Sequence, residues 1–94
     1  MEKGRIGMIS IEDIIGMTGL TREEIDAVAE HEHIPEAAAA ALADYLMHQE
    51  KGPRIVAQMI ADDIRAARAR GDMSHAAALM GALRHFLRSQ NLPR

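Results

Sequence analysis

Helix start and stop signals recur so closely along this chain that it has room for little besides short helices. Ser10 with Asp13 three residues on reads as an N-cap with its reciprocal carboxylate. Thr21 with Glu24 is a T-x-x-E capping box, in which each side chain satisfies the other's free backbone N–H. Pro35 and Pro53 suit the first position of a helix, where the missing N–H costs nothing, and Gly19, Gly52 and Gly71 fall where helices would end in left-handed caps. The punctuation predicts helices over 11–18, 22–33, 35–50, 53–70 and 73–90. No period-two alternation suggests a strand. The expected fold is all-α: a compact bundle of about five helices, with an N-terminal helix-turn-helix-like pair followed by longer antiparallel helices joined through the short RARGDMS connection.

With 94 residues there is chain enough for a single all-helical domain over 1–94, and one this small buries only about 60% of its unfolded surface. A second subunit would add burial. Hydrophobic residues make up 48% of the chain, but Tyr45 and Phe86 are its only phenylalanine, tyrosine or tryptophan residues, so the core must be aliphatic and alanine-rich. Helical spacing puts Ile25, Val28 and Ala29 on the inner face of the second helix and Ala38, Leu42, Tyr45, Leu46 and Gln49 on that of the third. Val56, Met59, Ile60, Ile64 and Ala67 do the same for the fourth, and Ala76, Leu79, Met80, Leu83, Phe86 and Leu87 for the fifth. The absence of cysteine excludes disulfides, thiolate metal sites and cysteine nucleophiles. MEKGRIGMISIEDII lacks a signal-peptide apolar run, and nothing approaches the roughly 20 apolar residues of a membrane span, so a cytoplasmic protein without membrane attachment is expected.

Charge divides the chain. In residues 21–36 one arginine stands against six carboxylates, whereas in residues 54–94 seven arginines stand against three aspartates. An acidic front half and a basic back half can attract one another, within a chain or between two.

The stretch IEDIIGMTGLTREEIDAVAEH resembles the helix-turn-helix of bacterial transcription regulators. Gly19 falls at the turn, Leu20 at the apolar position after it, Thr21 at the second cap, and Ile25 and Val28 at the inward positions of the recognition helix. The resemblance implies a DNA-binding regulator, but the residues left to face a groove come from Arg22, Glu23, Asp26, Ala27 and Glu30. That acidic set would be repelled by phosphate. Arg22, Glu23, Asp26 and Glu30 are therefore expected to form a surface for a protein partner or a second copy of the chain, and nucleic acid is not an expected partner. The RAARAR stretch at 65–70 reads as cations closing a helix C-terminus.

Glu30 and His33 lie three residues apart on one helix side, the spacing with which helix bundles present a carboxylate and an imidazole to one metal. Asp44 with His48 and Asp72 with His75 repeat the theme. Glu30, His31, His33 and His48 are accordingly candidate ligands for a divalent transition metal such as Zn, Fe or Ni. His31 and His33 project about 160° apart on a helix, so both cannot hold one ion while that segment stays helical. The plain reading is that Asp72 caps the last helix, Asp44 and His48 form a surface pair, and EHEHIPE is a corner where Pro35 ends one helix and starts another. His85, opposite Leu83 and Leu87, is expected in solvent. Asp63 lies on the apolar face of the fourth helix, where it calls for a histidine or arginine partner.

Ser10, Ser74 and Ser89 sit in no nucleophile elbow, and no glycine-rich phosphate loop is present. Residues 17–49, centred on EHEHIPE, are similar to small all-helical bacterial proteins without an assigned activity; the similarity implies a compact helical domain and transfers no catalytic residue. The function expected is a non-catalytic, homodimeric interaction module, with metal binding and DNA binding as alternatives.

Overall fold

The computed structural model describes residues 10–92. Residues 1–9, which hold most of the leader reading, and residues 93–94 at the end of the proposed domain lie outside the described residues. Five helices and no strand are found among the described residues: α1 Ile11–Thr18, α2 Arg22–Glu32, α3 Glu36–Met47, α4 Gly52–Ala69 and α5 Met73–Ser89.

The caps form as the spacing predicts. The Ser10 hydroxyl accepts from the Asp13 N–H at 3.1 Å, and Thr21 and Glu24 close a reciprocal box at 3.1 and 2.9 Å. Thr18 secures the turn between them, its hydroxyl donating to the Ile15 carbonyl at 2.6 Å and accepting from the Leu20 N–H at 3.0 Å. Asp72 caps α5 by accepting from the His75 N–H at 3.2 Å. Gly19 and Gly71 adopt the left-handed conformation, with φ of 75° and 79°.

Gly52 does not cap a helix in that way. It is the first residue of α4 and is buried against the end of α3, where a Cβ would collide with the Leu46 carbonyl. Its role is close approach rather than positive φ. Pro35, likewise, is the N-cap of α3 rather than its first turn, and α3 stops at Met47, three residues short of the predicted end.

α4 and α5 form the antiparallel hairpin. α2 lies across both of them, α3 packs on α1, α2 and α4, and α1 rests chiefly on α3. The core centres on Phe86, Ile25, Ile60, Val28 and Val56. On α3 the buried face differs from the predicted one: Ala39, Ala40, Ala43 and Leu46 point inward, and Tyr45 is 62% exposed. A helix with three neighbours needs its smallest side chains at the contacts, so the alanines take the core and the phenol stays outside. On α5, Ala76, Leu79 and Phe86 are buried while Met80 remains 40% exposed.

Candidate functional site

α2 carries most of the chain's polar chemistry. It is fastened to the hairpin by three histidine–carboxylate pairs. The first joins Glu24 to α5. Its side chain is fully buried, with Oε1 accepting from the Thr21 N–H and Oε2 lying 2.8 Å from His85 Nδ1. A buried carboxylate is tolerable only when its oxygens are hydrogen-bonded, and these two partners meet that need. His85 is about half exposed, as expected, but it is not idle.

The second pair joins Glu30 to His75 Nε2 at 2.6 Å, with the Arg70 guanidinium 3.8 Å from the other oxygen. The third joins α2 to α4: His31 Nε2 lies 3.1 Å from Asp62 Oδ2, while Nδ1 lies 2.8 Å from Glu32 Oε2. Only the imidazolium can donate to both carboxylates. Burial pushes the His31 pKa down, but the hydrogen bonds to Glu32 and Asp62 outweigh it and the net direction is up. Asp62 also accepts from Gln58 at 3.0 Å and pairs with Arg65; the Gln58 and His31 hydrogen bonds hold its pKa below the ordinary carboxylate value.

Asp63 stands apart. It is only 5% exposed, and its Oδ2 is buried without a hydrogen-bond partner. The expected pairing is therefore corrected: His31 and His75 act on it through their fields alone. Burial, followed by the charge of Glu30, pushes its pKa up to about 6.

The candidate metal ligands are dispersed. His33 is the C-cap of α2, left-handed at φ 58°, with its side chain exposed. It shares an open recess with Glu30, Arg70, Asp72 and His75. His31 faces Asp62 instead. His48 closes α3, 72% exposed, with Nδ1 2.7 Å from the Asp44 carbonyl and 3.8 Å from its carboxylate. Among the described residues no three histidine, aspartate or glutamate side chains converge as a metal site.

The candidate interaction residues form a more coherent surface. Arg22 bridges Glu12 of α1 at 3.1 Å and Glu36 of α3 at 2.8 Å. Glu23 and Asp26 are exposed and, with Glu30, line a groove between α2 and α5 whose floor is Ala27, Ala78, Leu79 and Ala82. Although Asp26 lies at the surface, the partial desolvation of its carboxyl is the largest cause that raises its pKa to about 6, followed by a carboxyl hydrogen bond to Glu36 and that residue's charge. One guanidinium thus serves a crowd of carboxylates.

Sequence reasoning missed Glu24, whose box with Thr21 accounts for one oxygen, because its second partner lies 61 residues away. It also missed His75 as the partner of Glu30, 45 residues away. No helix among the described residues is long and apolar enough to cross a membrane. No protein-family profile matches the chain, and neither a curated protein nor a solved structure is significantly similar to it.

Proposed function

We propose that this chain is a small non-catalytic interaction module of the cytoplasm, which acts through protein contacts as a homodimer and uses the acidic edge of α2 as its contact surface. The observation that supports this reading is the under-compensated charge along that edge. Glu23 and Asp26 stand beside Glu36 with Arg22 as the nearby cation, and the Asp26 carboxyl is driven up to about 6. A cation from a partner would relieve the crowding, and the basic half of the same chain carries seven arginines. The alanine floor of the adjoining groove leaves room for a side chain to enter. DNA binding is disfavoured by the same charges, since a phosphate backbone would meet Glu23 and Asp26 first.

The test is charge reversal. A Glu23→Lys, Asp26→Lys variant, verified as helical by circular dichroism, is expected to lose association by multi-angle light scattering. Association that is unchanged in this variant, and insensitive to salt, would contradict the use of this edge.

A further inference from the structure

Helix α5 has two unlike shoulders. On the α2 side is the groove floored by Ala78 and Ala82 and rimmed by Glu23 and Asp26. On the α4 side Met80, Leu83, Arg84 and Leu87 form an apolar shoulder that continues into a seam with α4 flanked by Arg54. Among the described residues the ion-paired arginines are Arg22, Arg65 and Arg70, and Arg54 and Arg84 make no ion pair with another described residue. Between the shoulders runs a ridge that carries the small residues Ala77 and Gly81.

We propose that this face of α5 is the contact between two copies of the chain, a two-fold dimer with parallel α5 helices. In it the Met80–Leu87 shoulder of each copy fills the alanine-floored groove of the other, and Arg84 of each reaches Glu23 and Asp26 of the other. The proposal rests on the homodimer reading above and specifies its surface and orientation.

Symmetry and the charges of the two shoulders select the parallel arrangement, against which stands one like-charge contact, Arg88 meeting its own copy at the exposed C-terminal end of the α5 ridge. A two-fold axis running along α5 exchanges left and right, so each groove meets a shoulder and each acidic rim meets an arginine. An axis across α5 would leave every shoulder facing its own kind, carboxylate against carboxylate and arginine against arginine, which opposes association. The parallel operation also preserves height along the helix. Glu23 and Asp26 line the groove beside Ala82, and Arg84 is two residues further on, a rise of about 3 Å. That lies within the reach of an arginine side chain. The ridge's small residues let the two backbones approach closely, and the exposed Met80 finds an apolar hole of matching character. An anionic membrane surface would meet the arginines but be repelled by the acidic rim a helix-width away.

Because the chain contains no cysteine, a single introduced thiol is unique. Ser74→Cys and Arg88→Cys mark opposite ends of α5. Under mild oxidation each variant alone is expected to form a disulfide-linked homodimer, since only parallel helices bring both positions onto their own copies. Crosslinking that occurs only when the two variants are mixed would mean antiparallel helices and overturn the inference. A dimeric mass with no crosslink at either position would overturn it while leaving the homodimer reading standing, and a monomer at every concentration would remove both. As an independent arm, Arg84→Glu is expected to weaken association at least tenfold, and adding Asp26→Arg to it should restore affinity. Failure of the double variant to recover, with helicity intact, would contradict the Arg84–Asp26 contact.

Discussion

Replacing Asp63 by Asn should make this protein more stable at neutral pH and leave it nearly unchanged in acid. The carboxyl is buried on α4 with an orphaned oxygen, and its pKa is raised from 3.8 to about 6. A gap of about two pK units at about 1.36 kcal/mol each means that the ionised form costs the folded state roughly 3 kcal/mol at pH 7. The folded chain holds a proton that the unfolded chain releases, so stability rises as pH falls from 7 through 6 toward 4, and the cost is gone once both states are protonated. Asn keeps the shape and carries no charge. The Asp63→Asn advantage is therefore expected to approach about 3 kcal/mol at pH 7, to be roughly half that at pH 5, and to fall below about 1 kcal/mol at pH 4. Urea unfolding followed by circular dichroism at fixed protein concentration measures it. A difference that is flat across this range, or a variant less stable at pH 7, would refute the assignment of Asp63 as a buried carboxyl without a partner.

Other consequences follow from the fastenings of α2. His85→Ala strands one oxygen of the fully buried Glu24 and is expected to cost about 1–3 kcal/mol in chemical denaturation, far more than removal of an ordinary half-exposed side chain. His33→Gly should raise stability by about 0.5–1 kcal/mol, because glycine adopts the left-handed cap without a Cβ penalty; a loss of Tm would show that contacts of the imidazole outweigh that penalty. The raised pKa of His31 means that its contribution is fully present below pH 6.5 and is lost as pH rises through the folded value, so His31→Ala should destabilise more at pH 6 than at pH 8.5.

Helix boundaries were legible because they are written in local chemistry: Ser10, Thr21 and Asp72 bond to groups three residues away, and Gly19 and Gly71 solve a purely local backbone problem. What required three dimensions was everything decided by neighbours. The inward turn of α3 reflects how many helices crowd it, which favours Ala39, Ala40 and Ala43 over Tyr45, and no periodicity in α3 alone reveals that crowding. Gly52 looks like a cap in sequence and proves to be a contact surface for the α3 carbonyl. The candidate site was half visible. The acidic edge at Glu23 and Asp26 follows from helical spacing and charge. The pairing of Glu30 with His75 and of His31 with Asp62, by contrast, depends on how α2 lies over the hairpin. Those pairings turn Glu30 toward α5 and His31 toward α4, while His33 caps α2 and His48 closes α3 against Asp44, so the four are not gathered around a single point.

The proposed association of two copies rests on charge along α2. Sedimentation equilibrium of the unaltered chain, from low to high micromolar concentration at low and high salt, tests it most directly. The expected result is a species of twice the 10.3 kDa chain mass at low salt that dissociates on dilution and more readily as salt is added. A 10.3 kDa particle under every condition would contradict it.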